Sequence, residues 1–267
     1  MPLDVAVQVV NYRTRRQLEP CLRSVLDDLA GSAVRHRVLV LENGSGDDLS
    51  DLAARHPEVD FSASERNLGF GGAHNLLAGR HDAAALLLLN PDAQLVEPRT
   101  VERLLAALGD GIVAVGPQLV SAAGAVDPRD HGELRGLRAR VAQAAGHSHY
   151  RRRDAPADAA WVSGAACLVD RKAFDGVGGF DPEFFLYKEE EDLFLRIRRR
   201  GGRVLYLPTV RVRHDGGVVA SRDEHLAASV ARFADKHIRS RVQRRLMPPV
   251  HRALAVWGGR LDRLVGR

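Results

Sequence analysis

The chain has 267 residues, 45% hydrophobic and 27% charged, which is ordinary for a soluble globular protein and long enough to bury a sizeable core. No run approaches the roughly 18 apolar residues of a membrane-spanning helix, and MPLDVAVQVVNY carries no basic leader, so neither a transmembrane helix nor a secretory signal is expected. Cys21 and Cys167 are the two cysteines, far apart in apolar patterns, which fits a reducing cytoplasm and argues against a cysteine metal cage. Residues 232–267 hold ten Lys+Arg and two Asp, a net of +8 against +5 for the whole chain, which leaves −3 on residues 1–231. The basic balance therefore belongs to the tail, and no nucleic-acid partner is expected for the body.

Taken in chain order, VAVQVVNY (5–12) reads as a strand, followed by a helical pattern through Leu18, Leu22, Val25, Leu26 and Leu29. HRVLVLENGSGD (36–47) is a second strand running into a turn, and VDFSAS (59–64) a third. A glycine-rich turn opens a helix over ERNLGFGGAHNLLAGR (65–80). ALLLLNPD (85–92) has the continuous apolar run of a buried central strand. A helix (98–108) and a strand (112–116) follow. This alternation predicts a parallel sheet covered by helices. The rhythm breaks near Gly116, and residues 121–158, with the cluster Arg151, Arg152 and Arg153, read as a long loop region near an acceptor site. Order returns with AAWVSGAACLVD (159–170), then FFLYKEEEDLFLRIRRRGG (184–202), then the strand RVLYLP (203–208), after which His214 follows a proline turn.

Ligands of open α/β sheets bind beyond the carboxyl ends of the strands. Polar residues fall at those ends: Asn11, then Glu42 and Asn43, then Asn90 and Asp92. Asp92 is either a turn former after Pro91 or a ligand for a divalent cation carrying a diphosphate, a site that needs only one or two carboxylates. Glu42 is either a polar turn residue or an acceptor for the N3–H of uracil or thymine. GFGGAHN supplies Gly69, Gly71 and Gly72 but places His74 where a dinucleotide fingerprint has its third glycine, and it follows the third strand. Its glycines serve either close packing or backbone approach to a phosphate.

The run Glu189, Glu190, Glu191, Asp192 suits a first helical turn through the macrodipole. At about 100° per residue, Leu193, Phe194 and Ile197 fall within roughly 60° of Glu190, Glu189 and Glu191 flank that stripe, and Asp192 points to the far side, toward Arg196 and Arg199. Glu190 is thus the carboxylate aimed along the apolar face, where desolvation raises a pKa toward that of a general base. Asp192 is expected at the surface.

In order, VNY (10–12), LENGSGD (41–47), RNLGFGGAHN (66–75), LLNPDA (88–93), WVSGAACLVDRKAF (161–174), VGGFDPEFFLYKEEEDLFLR (177–196) and the segment from Pro208 to His214 resemble a bacterial family 2 inverting glycosyltransferase of the rhamnosyltransferase-like branch. The resemblance spans roughly residues 5–215. It implies a GT-A fold: a Rossmann-like, mostly parallel central sheet flanked by helices. Residues 1–231 would form the transferase domain, with a donor half to about 116 and an acceptor half beyond it, and 232–267 a basic helical tail.

The resemblance further implies donor contacts from Asn11, Glu42, Asn43, Arg66, Asn67, Gly71, Gly72, Asn75, Asn90 and Asp92. It implies acceptor or sugar contacts from Trp161, Ser163 and Gly164, with core packing as the other reading of Trp161. Asp92 and His214 would hold Mg2+ or Mn2+. Glu190 stands at the general-base position, with Glu189 in reserve. Glu42 and Glu190 each replace an Asp of the family pattern, and Asn90 replaces an acid.

The implied reaction moves a sugar from a nucleotide-diphosphate donor, dTDP-rhamnose first and a UDP-sugar second, to a saccharide, lipid-linked or natural-product hydroxyl. A nucleotidyltransferase and a sugar-nucleotide-binding module without catalysis are the rival classes. In the tail, Val250, Leu254, Trp257, Leu261 and Leu264 recur at helical spacing among arginines. That segment either docks on the body or a second subunit of a homodimer, or lies on the inner face of the cytoplasmic membrane.

Overall fold

A computed structural model describes residues 3–127, 129–133, 152–215 and 222–237. Strands β1 (Val5–Asn11), β2 (His36–Glu42), β3 (Val59–Ala63) and β4 (Ala85–Leu89) pair in parallel in the order β3-β2-β1-β4. Helices α1 (Arg15–Leu29), α2 (Ser50–Arg55) and α3 (Gly69–Ala78) connect them. The second half comprises β5 (Ala93–Leu95), α4 (Thr100–Ala106), β6 (Ile112–Val120), β7 (His131–Glu133), β8 (Ala157–Val162), β9 (Ala166–Asp170), α5 (Arg171–Gly176), α6 (Glu189–Arg199), β10 (Arg203–His214) and α7 (Arg222–His237). The sheet continues from β4 as β9-β6-β10-β8-β7, and β5 pairs with the end of β10.

The expected parallel pairing holds for β1–β4 and for β6 with β10, whereas β9 runs antiparallel to both β4 and β6. The break expected at Gly116 lies further on: Ala114–Val120 is buried throughout, so β6 continues to Val120. Within 121–158, residues 131–133 are strand and β8 has begun by Ala157. Arg151 lies outside the described residues.

The period of two along each strand divides the core. Val5, Val7 and Val9 of β1 and Ala85, Leu87 and Leu89 of β4 face one cluster with α1, whose Leu18, Cys21, Leu22, Val25 and Leu29 recur at three- and four-residue spacing. Leu86 and Leu88 face the opposite cluster with Cys167, Phe180, Leu193, Phe194 and Tyr206. All five residues of β4 are buried, which explains its unbroken apolar run.

β10 switches faces along its length. Val204 and Tyr206 belong to the second cluster, yet Val210 and Val212, also even-numbered, belong to the first. Between them, at Pro208, β10 advances from Leu207 to Arg211 while β6 advances only from Pro117 to Gln118. Proline has no N–H to give the ladder, and such an irregularity with an odd number of extra residues inverts side-chain parity. His214 is therefore the last residue of this strand and not a residue beyond it.

Candidate active site

The register of the sheet aligns the carboxyl ends of β1, β2 and β4: Asn11 is opposite Glu42, and Val9 is opposite Leu89. Asn11 is fully buried, donates from Nδ2 to Asp47 Oδ2 at 2.9 Å and accepts from Thr14 Oγ1 at 3.0 Å. Asp47, in the LENGSGD turn after β2, thereby joins the corner that Asn11 and Glu42 form. Glu42 turns back on its own loop: Oε1 accepts from the Ser45 amide at 2.7 Å and from the Ser45 hydroxyl, and Oε2 accepts from the Gly44 amide at 3.1 Å. An ionised carboxylate oxygen offers two acceptor positions, so Oε2 retains one.

Asn43 joins this turn to the next. Its Nδ2 donates to Asn67 Oδ1 at 3.0 Å, and its Oδ1 accepts from the Leu68 amide at 3.0 Å. Gly44, at φ +73°, backs onto Arg66, where a Cβ would lie 2.4 Å from the backbone carbon. The Arg66 side chain itself is exposed. Asn75 clamps the backbone of Phe180 in both directions, donating to its carbonyl at 2.8 Å and accepting from its amide at 2.9 Å. A Cβ on Gly71 would meet that of Phe180 at 2.7 Å, whereas Gly72 has only Leu68 Cβ at 3.4 Å. His74 is fully buried, and desolvation lowers its pKa to about 3, so the ring is neutral.

Where β4 ends, the Asn90 amide donates to Ala165 O at 2.9 Å, tying the NPD turn to the chain ahead of β9. Asp92 Oδ1 and His214 Nε2 stand 3.5 Å apart, and Asn90 Nδ2 lies 3.4 Å from the same Nε2. The sheet thus unites the residues expected to hold a metal. Around them, Gly164 packs under Phe70, Ser163 Oγ accepts from the Ala165 amide at 3.2 Å, and Trp161 is buried in the second cluster against Gly132. Core packing is the setting of the Trp161 ring.

The acidic segment begins with two consecutive left-handed residues, Tyr187 (φ 70°) and Lys188 (φ 67°), which turn the chain into α6. Glu189 is buried and Glu190 half-buried; each has an Oε2 shielded from solvent without a hydrogen-bond partner among the described residues. Burial, then the charge of Glu191, raises the Glu190 pKa to about 7. Burial, then the charge of Glu190, pushes Glu189 well above the carboxylate range. Cys167, opposite Leu88 of β4, has its thiol pKa pushed up by burial and then by the charge of Glu190.

The surface position expected for Asp192 is overturned. Its pairing with Arg196 holds, at 2.8 Å, but Asp192 is fully buried. Burial opposes its ionisation, and bonds from His237, Lys236 and Arg196 outweigh it, holding the carboxyl down to about 2. The far side of the helix is covered by α7, which begins at Arg222, ahead of the helical tail expected from residue 232.

A single family model covers this fold and site. The chain belongs to the glycosyltransferase-like family 2, whose model matches residues 2–234. Among curated proteins, it is 29% identical over 231 residues to an N-acetylglucosaminyl-diphospho-decaprenol L-rhamnosyltransferase of Mycobacterium tuberculosis, covering 75% of each chain. Among solved structures, GalNAc-T7 with UDP, GalNAc and Mn2+ superposes with a TM-score of 0.65 at 15% identity, over 88% of this chain and 48% of that one. The mannosyltransferase PcManGT of Pyrobaculum calidifontis, with GDP-Man and Mn2+, gives 0.59 at 16% identity, over 92% and 68%. The fold is GT-A-like, and the chain is a family 2 glycosyltransferase. No described helix is long and apolar enough to cross a membrane.

Proposed function

We propose that the protein transfers a sugar, with inversion, from a nucleotide-diphosphate donor to an acceptor hydroxyl, and that dTDP-rhamnose is the donor. The observation that carries this reading is Glu190, whose Oε2, shielded and without a hydrogen-bond partner among the described residues, and whose pKa near 7 suit a general base at neutral pH. Glu190 takes the proton of the acceptor hydroxyl as that oxygen attacks the anomeric carbon from the face opposite the diphosphate. The bond from the anomeric carbon to the phosphate oxygen breaks, the nucleoside diphosphate departs, and one displacement inverts the centre. No second catalytic carboxylate is needed, unlike the paired acids of glycoside hydrolysis. Glu189 is the buried neighbour of this base, and burial together with the charge of Glu190 pushes its carboxyl well above the usual range.

Asp92 and His214 fit a divalent cation: a carboxylate oxygen and an imidazole nitrogen face one another, and a magnesium or manganese site completes its shell with phosphate oxygens and water. Mg2+ or Mn2+ held there would neutralise charge developing on the leaving diphosphate. Glu42, through the free acceptor position on Oε2, would accept from the N3–H of a thymine or uracil base, with Asn11 and Asp47 bracing the same corner. Gly72 leaves room for a phosphate beside the first turn of α3.

The rhamnosyltransferase relative makes an N-acetylglucosaminyl-diphospho-polyprenol the first acceptor to try. The test is product analysis with dTDP-rhamnose, UDP-sugars and this acceptor, with and without Mn2+. Release of dTDP with a glycoside whose anomeric configuration is opposite to that of the donor supports the reading. Release of pyrophosphate, or donor binding without turnover, would overturn it.

A further inference from the structure

Helix α7 grips the segment that carries Glu189 and Glu190, using one face. Ser229 Oγ donates to Leu186 O at 2.7 Å, and the Phe233 ring lies 5.8 Å from Lys188 Nζ. Lys236 Nζ and His237 Nε2 each lie 2.7 Å from Asp192 Oδ1. Lys236 also donates to Asp181, Arg232 pairs with Glu183, and His225 packs on Phe185 at 5.0 Å. Residues 225, 229, 232, 233, 236 and 237 recur at three- and four-residue spacing, so these contacts belong to a single stripe.

The gripped segment is conformationally demanding. Tyr187 and Lys188 both sit in the left-handed region without being glycine, a geometry that persists only where the surroundings over-determine it. The far side of the segment is fixed by Phe185 O, which accepts from the Phe70 amide at 3.0 Å. Lys188 further donates to Glu191 at 2.7 Å, and its carbonyl takes the first hydrogen bond of α6 from the Asp192 amide at 2.9 Å. Asp192 is thus one helical turn behind the strained pair, and its side chain is the anchor to α7.

We propose that Lys236 and His237, through Asp192, are positioning residues for the base. They lock α7 onto the start of α6, hold the Tyr187–Lys188 turn, and so fix where the Glu190 carboxylate meets the acceptor hydroxyl. The inference rests on the reading of Glu190 as base. Neither residue is asked to touch substrate.

The test uses the full chain with Lys236→Met, His237→Gln, the double variant and Lys236→Arg, assayed with dTDP-rhamnose and N-acetylglucosaminyl-diphospho-decaprenol. Lys236 is partly exposed, so the single Met variant should fold. The expected result is a kcat lowered about tenfold or more in the double variant, since a misplaced catalytic group is costly. Donor KM should stay within about twofold, and Lys236→Arg should recover most of the rate. Amide hydrogen exchange over 185–191 should accelerate, with exchange in β1 and β4 unchanged. An unchanged kcat in the folded double variant overturns the proposal, as does a donor KM that rises in step with the loss of kcat. If the wild-type chain shows no turnover, the transferase reading fails. Exchange over 185–191 then still decides whether α7 holds this segment: unchanged protection in the double variant overturns the clamp.

Discussion

Asp92 Oδ1 and His214 Nε2 meet at 3.5 Å because the irregularity at Pro208 turns the last third of β10 onto the face that holds Val210 and Val212. With unbroken pairing, His214 would project from the other side of the sheet. If this pair holds the cation, His214→Ala should raise the Mn2+ concentration for half-maximal activity by about 10- to 100-fold. Asp92→Asn, which removes the charge, should lower kcat further, and chelation should silence the wild-type enzyme reversibly. Metal titration of initial rates checks all three.

Glu190 predicts two opposite pH trends. As base it must be ionised, so kcat/KM should fall about tenfold per pH unit below roughly 7. Its stability contribution has the other sign. A carboxyl whose folded pKa is raised contributes fully below its unfolded value and loses that contribution as pH rises through about 7. Glu190→Gln should therefore be more thermostable than wild type at pH 8, by roughly 4 °C, and close to equal at pH 4. The same variant should lose about 100-fold or more in kcat while still binding donor. Melting curves at the two pH values, with rates alongside, give the check.

Much of the donor half is legible in the sequence because its determinants are local. Five consecutive apolar residues in β4, the three-four spacing of α1 and the polar residues that close β1, β2 and β4 each report on their own element. Asp92 with His214, and the inward face of Leu193, Phe194 and Ile197, follow from motif and period. Asp192 shows where such reading stops. A single helical wheel assumes one buried face, and Asp192 is buried because α7 brings Lys236 and His237 to the opposite face. That partner lies far along the chain, in a helix that starts at Arg222, ahead of the basic helical tail expected from residue 232, and nothing local to α6 reports it. The Pro208 shift is non-local in the same sense, since strand parity depends on what β6 does beside it.

Glu42 predicts a separation of binding from catalysis. Glu42→Gln keeps the length but replaces one acceptor oxygen by a donor, so it cannot serve Ser45, Gly44 and a base N3–H together. Donor KM for dTDP- or UDP-sugars should rise about tenfold with kcat within about threefold, the pattern of lost uniform binding. Stability should fall by about 1 kcal/mol from the weakened turn. Initial-rate kinetics and urea denaturation measure the two effects.

Gly69 and Gly72 open the same helix and should respond oppositely to alanine. Gly69 is at φ +71°, and a Cβ there would lie 2.4 Å from Phe185 O, the carbonyl that accepts from the Phe70 amide. Gly69→Ala must pay the left-handed penalty and displace that carbonyl, at a cost of about 2–4 kcal/mol. Because Phe185 precedes the Tyr187–Lys188 turn, activity should fall with it. Gly72 is helical, and its nearest neighbour to a Cβ is Leu68 Cβ at 3.4 Å. Gly72→Ala should leave stability unchanged or raise it by up to about 1 kcal/mol. If a donor phosphate approaches the Gly72 backbone, the added methyl should still raise donor KM, so gained stability with weakened donor binding is the expected pair. Gained stability with unchanged donor KM would remove Gly72 from the donor site and leave it a packing residue.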